Sequence, residues 1–121
     1  MAYDELLADR IRQAFNERKV AFVEKKMMGG MCFMVNEKMC IGTHIDKKSS
    51  KPILMARIGI EAYNKSIEKP GCHPMDFTGR AMKGYVFVMD EGIDLEEDFN
   101  YWIDLALDFN PMAISSKKTK R

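Results

Sequence analysis

Between Phe22 and Arg57 the chain offers four short apolar or alternating runs: Phe22 to Met28, Met31 to Val35, Lys38 to His44 and Ile53 to Arg57. Only a few residues separate one run from the next, and that spacing constrains the fold more than anything else in the sequence. A parallel pair of strands needs a crossover of about a dozen residues or more, whereas an antiparallel pair can turn within two. Each run is of strand length, so the sheet they build is expected to be largely antiparallel. Gly29-Gly30 breaks the first pair as a bulge or tight bend would. Asn36-Glu37 suits a hairpin tip because Asn tolerates positive φ, although Asn-Gly is the stronger signal. Asp46 to Pro52 (DKKSSKP) reads as a polar, solvated loop.

Helical periodicity flanks this block. Tyr3, Leu7, Ile11, Ala14 and Phe15 recur at helical spacing and predict a helix from Tyr3 to Arg18. A shorter helix is expected from Ile60 to Lys69, with Gly59 before it and Pro70-Gly71 to stop it. Tyr85, Phe87 and Met89 alternate with Val86 and Val88 in a strand that is apolar on both faces. For the last helix, Asp94 is the expected cap, with Glu97 three residues on as in a capping box, and Pro111 ends it. Its stripe of Leu95, Phe99, Trp102, Ile103, Ala106 and Phe109 should press on the sheet. The pattern predicts an α+β, two-layer sandwich: a largely antiparallel sheet of about five to six strands covered by three helices. One domain spans residues 1–112, and residues 113–121 form a basic tail too polar to pack, expected to be disordered.

Composition narrows the function classes. Of 121 residues, 46% are apolar and 31% charged, which is globular and not membranous. No apolar run approaches the roughly 18 to 20 residues needed to cross a bilayer. The acidic opening Asp4-Glu5 is unlike a signal peptide, so the expected compartment is the cytoplasm. The net charge of +1 conceals a split, because Lys117, Lys118, Lys120 and Arg121 lie in the tail. Residues 1–114 then carry 15 basic against 18 acidic side chains. That balance is the reverse of what neutralising phosphates asks of a nucleic-acid-binding body, so nucleic acid is expected to be met at most weakly or indirectly, through the tail.

Four stretches carry a family resemblance: Ala2-Tyr3-Asp4-Glu5, Lys25-Lys26-Met27-Met28-Gly29-Gly30, Met55-Ala56-Arg57-Ile58-Gly59, and Asp76-Phe77-Thr78-Gly79-Arg80-Ala81-Met82-Lys83-Gly84-Tyr85. In order and spacing they resemble the N-terminal domain of the TfoX/Sxy family of bacterial competence regulators, over Tyr3 to Pro111. The resemblance implies a two-layer α/β sandwich with an antiparallel sheet. It also implies the role of a transcriptional coactivator that works with a cyclic-AMP receptor protein, and it brings no catalytic residues. Full-length members carry a further helical domain, so this chain resembles the stand-alone N-terminal type. It departs from the family at Glu37, where a hairpin Gly would be comfortable, and at Met28, where an aromatic residue is frequent.

The candidate sites are few. Cys32, Cys40 and Cys72 are odd in number and lack a Cys-x-x-Cys spacing, which fits buried, reduced thiols better than a disulfide framework or a zinc site. A two-residue tip at Asn36-Glu37 would set Cys40 opposite Phe33 and Cys32 opposite Ile41, pointing the thiols to opposite faces; a three-residue tip would put them on one face, diagonally offset. Cys72-His73 and His44 are the other soft ligands, with no metal-binding spacing, and no metal or cofactor is expected. The glycines do not form a phosphate loop. Eleven methionines read mostly as core filling, with an adaptable protein-binding face as the functional alternative. Arg57, Arg80 and Lys83 are the polar residues to single out as an anion- or partner-binding patch, against ordinary pairing with Asp76, Asp90 or Glu61. The expectation is a non-enzymatic regulatory or protein-interaction domain with an unidentified protein partner, monomeric or homodimeric. The alternatives are a small enzyme or small-molecule binder with a pocket near Arg57 and Lys83, and a DNA-contacting accessory factor acting through the tail.

Overall fold

The computed structural model describes residues 4–27, 29–75 and 82–113. Helix α1 (Glu5–Glu17) opens at Asp4, whose Oδ1 accepts from the Leu6 amide at 3.0 Å. It ends in a left-handed residue, Lys19 at φ 58°, with Lys19 N–H donating to Asn16 and Val20 N–H to Phe15. That pair of bonds is a Schellman cap, built here without the glycine that usually takes the position. Strands β1 (Val23–Met27), β2 (Gly30–Val35), β3 (Lys38–Ile45) and β4 (Pro52–Arg57) follow, then α2 (Gly59–Ser66), β5 (Cys72–Met75), β6 (Met82–Val88) and α3 (Glu96–Phe109). The strands form one six-stranded sheet in the order β1-β2-β3-β4-β6-β5, and every pairing is antiparallel. This is the expected α+β sandwich. The expected tail, apart from Ala113, lies outside the described residues.

Three local readings are corrected. The short strand β5 was not foreseen, because Pro74 disguises it; on an edge strand a missing N–H costs no ladder bond. Helix α3 starts at Glu96 with Leu95 as its N-cap and no side-chain capping bond, so Asp94 does not cap it, and Leu95 is 62% exposed instead of buried. The acids Glu96, Glu97 and Asp98 still complement the positive end of the helix. Finally, the β2–β3 tip is the two-residue turn Asn36-Glu37, with φ of 56° and 66°, as in a type I′ hairpin. A bulge beside it shifts the register by one, so Cys32 lies opposite Gly42, not Ile41. Cys40 packs in the core under the helices, while Cys32 lies outside that core with its Sγ 3.7 Å from the Met34 sulfur.

All three helices pack on one side of the sheet. Leu7, Ile11 and Phe15 of α1, Tyr63 of α2, and Phe99, Trp102, Ile103 and Ala106 of α3 meet Phe33, Ile41, Leu54, Ala56, Val86 and Val88 in one core. Trp102 Nε1 donates to the Gly92 carbonyl at 3.2 Å, so the indole is buried with its one polar group satisfied. The helices are tied to each other and to the sheet by polar contacts at their rims. Arg18 donates to Asp104 at 2.9 Å and to Asn100 at 3.1 Å, joining α1 to α3, and Arg12 holds Glu24 of β1 through two bonds. At the far end of α3, Asn110 donates to the Val35 carbonyl and accepts from Asn36, while Lys38 Nζ donates to the Asn110 carbonyl. The tip of the β2–β3 hairpin is thereby clamped to the end of the last helix.

Candidate functional site

Strand alternation decides which side chains the helices leave uncovered. Phe33, Ile41, Leu54, Ala56 and Val86 point to the helices; apart from Cys40 at the bulge, their neighbours in the strands point the other way. Pairing then sets out rows across the helix-free side. Lys25 faces Cys32, which faces Gly42, then Met55, then Phe87, then His73. On either side of this row lie His44 opposite Ile53 and Arg57 opposite Tyr85. Cys32, Ile53 and Met55 are buried, while Met34, His44, Arg57, Tyr85 and Phe87 are half-buried, and Lys25 and His73 are exposed. Met55 folds over Gly42, whose missing side chain leaves the room: a Cβ there would come 3.2 Å from the Met55 methyl.

The rings on this side touch one another. His44 meets Phe87 edge-on with centroids 5.1 Å apart, and burial lowers the His44 pKa below its ordinary value, against a smaller upward pull from Asp46. At neutral pH it is therefore mainly an uncharged ring. The Arg57 guanidinium lies 5.3 Å from the Tyr85 ring and 6.0 Å from Phe109 at the end of α3. Both are cation–π distances.

Of the three basic residues singled out from sequence, Arg57 sits at the end of β4, between Tyr85 of β6 and Phe109 of α3. Lys83 belongs to β6, two residues before Tyr85, and Arg80 lies outside the described residues. What the sequence reading missed is the company Arg57 keeps. Tyr85, Phe87 and His44 come from two strands that are not adjacent in the sheet, and the link between them is a register that no local pattern displays.

Two hollows are formed among the described residues. One, of about 410 Å³, sits between β1 and the hairpin tip and is lined by Phe22, Val23, Lys25, Met34 and Glu37 among others. A smaller one, of about 150 Å³, lies between Lys69, Glu91, Asp98 and Tyr101. Arg57 lines neither. Beside the second, Ser66 and Tyr101 share a hydrogen bond at 2.7 Å and the Lys69 ammonium sits 4.6 Å from the Tyr101 ring, with Ser66 fully buried. The thiols are equally quiet. Burial pushes Cys32 and Cys72 up to about 11 and Cys40 to about 12, so none forms the reactive thiolate near neutral pH. Among the described residues no three His, Cys, Asp or Glu side chains are grouped to hold a metal ion, and no helix is long and apolar enough to cross a membrane.

The profile of the TfoX N-terminal domain matches residues 17–110, most of the chain. The chain belongs to the TfoX N-terminal domain family. Among solved structures, this TfoX-type chain is similar to a crystal structure of a protein from Pseudomonas syringae, a structural-genomics target. The TM-score is 0.60 at 14% identity, covering 85% of this chain and 97% of that one. At that identity the likeness concerns the fold alone. No curated protein matches.

Proposed function

We propose that this TfoX-type domain is a non-enzymatic regulatory module of the cytoplasm, which acts by binding another macromolecule on the helix-free side of its sheet. One observation carries the reading. Every described helix packs on the same side, and the other carries half-buried Met34, His44, Tyr85 and Phe87. A sheet face carrying rings and a thioether offers large contact area at small entropic cost. The buried, protonated thiols and the buried Ser66 support a domain that performs no chemistry of its own. Control of competence genes, the role that the family resemblance implies, is a process in which such a module would serve as an adaptor.

Capture of partners from the native cell tests this with the wild-type chain and three variants. Val23→Asp and Phe87→Asp place a charge on the helix-free side, and Glu97→Lys changes an exposed position of α3. Thermal melts establish that each variant is folded. The expected result is a defined partner retained by wild type and Glu97→Lys and lost with the sheet variants. Equal capture by all four would overturn the assignment of this face.

A further inference from the structure

The sheet has two edges, and they are built differently. Strand β5 is four residues long and carries Pro74, which has no N–H to offer a further strand. Strand β1 has five residues and no proline, and among the described residues no strand lies outside it. No backbone hydrogen bond from a loop or a cap reaches residues 21–27 among the described residues either. Alternate residues of β1 turn their N–H and C=O groups away from β2, so the outer rim of this strand is a row of donors and acceptors open to another backbone.

The side chains along this rim state what that backbone should carry. Val23, 62% exposed, and half-buried Phe22 and Met34 line the hollow of about 410 Å³, and Lys25 lines it too. Val23 opposite Met34 and Lys25 opposite Cys32 lie on the helix-free side, whereas Lys26 opposite Met31 lies on the helix side. Both lysines are exposed, and neither is in an ion pair among the described residues. Glu24 between Val23 and Lys25 is taken up by Arg12 at 2.7 and 2.9 Å. The edge therefore shows one cation to each side, with an apolar hollow two residues from the first. A second copy of the chain fits it poorly, because the fullest antiparallel overlap of two β1 strands sets Lys25 against Lys25. We infer that the β1 edge takes up an extended acidic peptide segment as a seventh strand, with consecutive carboxylates opposite Lys25 and Lys26 and a large apolar side chain opposite Val23 in the hollow. Read along an antiparallel peptide, the pattern is acid-acid-x-apolar. The inference rests on the proposal above, since Val23, Lys25 and Met34 line the hollow from the helix-free side, and it adds how the partner is held and what it is made of.

The test is fluorescence anisotropy of the full chain with labelled peptides of about ten residues, at low salt and at physiological salt. Two acidic peptides carry the cores Glu-Glu-Thr-Leu and Leu-Thr-Glu-Glu, one for each direction of the added strand. One of them is expected to bind with a Kd below about 1 mM at the lower salt, and more weakly at the higher. Replacing its leucine with serine should weaken binding by about 10-fold or more, through the emptied hollow. The double substitution Lys25→Glu, Lys26→Glu should weaken it about 5- to 100-fold, as two cross-strand pairs turn from opposite to like charge. That variant should in turn gain the peptide in which both glutamates are lysines, which a merely structural effect would not produce. Melts show that the variant is folded. The bound peptide is also made with N-methyl groups at alternate residues, in both phases. One phase blocks the hydrogen bonds to β1 and should abolish binding, while the other should bind like the parent.

Three results would overturn the inference. The first is no binding of either acidic peptide at about 1 mM, and the second is binding indifferent to the charge reversal or to both N-methyl phases. The third is a concentration-dependent dimer in sedimentation that Val23→Asp dissolves, which would give the edge to a second copy. The underlying proposal fails separately. A cellular partner lost with Phe87→Asp, in a chain that ignores every peptide, would leave the sheet face as the binding surface and refute only the added strand.

Discussion

Trp102 is 1% exposed and hydrogen-bonded to the Gly92 carbonyl, and both facts bear on how firmly it is held. Trp102→Ala should destabilise the domain by about 3–5 kcal/mol in urea titrations, through lost burial and an unfilled cavity. Trp102→Phe keeps most of the apolar contact and strands the carbonyl, so it should cost less. The burial of Trp102 was legible in the sequence because an amphipathic stripe needs only helical spacing. The environment of each thiol was legible only in part: counting from the hairpin tip missed the bulge, which takes up one residue without leaving a mark in the hydrophobic pattern. Burial of all three thiols has a consequence in alkali. Below the ordinary thiol range, folded and unfolded chains both keep the proton. Above about pH 8.5 the unfolded chain ionises while Cys32 and Cys72 hold to about 11 and Cys40 to about 12. The unfolded state then binds fewer protons, and stability should fall from pH 8.5 towards 11 and beyond. Urea midpoints measured from pH 7 to 10.5 check this, and a Cys32→Ala, Cys40→Ala, Cys72→Ala variant should show a shallower fall. At pH 8 the native thiols should react with a disulfide reagent at least about 100-fold more slowly than those of the unfolded chain.

Elements show a different division between what is local and what is not. The extents of α1, β2, β3 and β4 follow from periodicity and turn residues, and the structure moves their ends by no more than a residue or two. The start of α3 does not, because the sequence places Asp94 and Glu97 at capping-box spacing while the 3₁₀ turn at Asp90–Gly92 leads the chain in at another angle. The end of α1 is a left-handed position occupied by lysine, and the sequence gives no sign of it. There, Lys19→Gly relieves the backbone cost of positive φ while leaving both Schellman bonds intact, and should raise stability by about 0.5–1 kcal/mol. Chemical denaturation at constant m-value measures it. A loss of stability would show that the Lys19 side chain contributes more than its backbone costs. The converse holds at Gly59, at φ 86°, where an added Cβ would come 2.6 Å from the Phe109 ring, so substitution there is strained twice over.

For the whole molecule, the antiparallel two-layer architecture was legible because short connections leave few alternatives. The proposed binding face was not. Net charge sums over both layers, so the acids of α3 hid a sheet in whose described strands Glu24 is the one acid. The family profile ends at residue 110, and the last described contacts of the chain are those around Asn110 to Ala113. Removal of residues 115–121 is therefore expected to leave the melting temperature nearly unchanged, by calorimetry or circular dichroism. A drop of more than a few degrees would show that the tail packs on the domain.

The clamp at Asn110 bears on the order of events during synthesis. Asn36 and Asn110 are 74 residues apart, and at about 5–20 residues per second the ribosome takes about 4–15 seconds to pass from one to the other. Throughout that interval the Val35 carbonyl lacks the amide that will satisfy it, and the core lacks Trp102. The nascent hairpin must wait, half-assembled, for almost the last residue of the domain, so a message truncated shortly before codon 110 would yield a chain for proteolysis in place of a smaller working version.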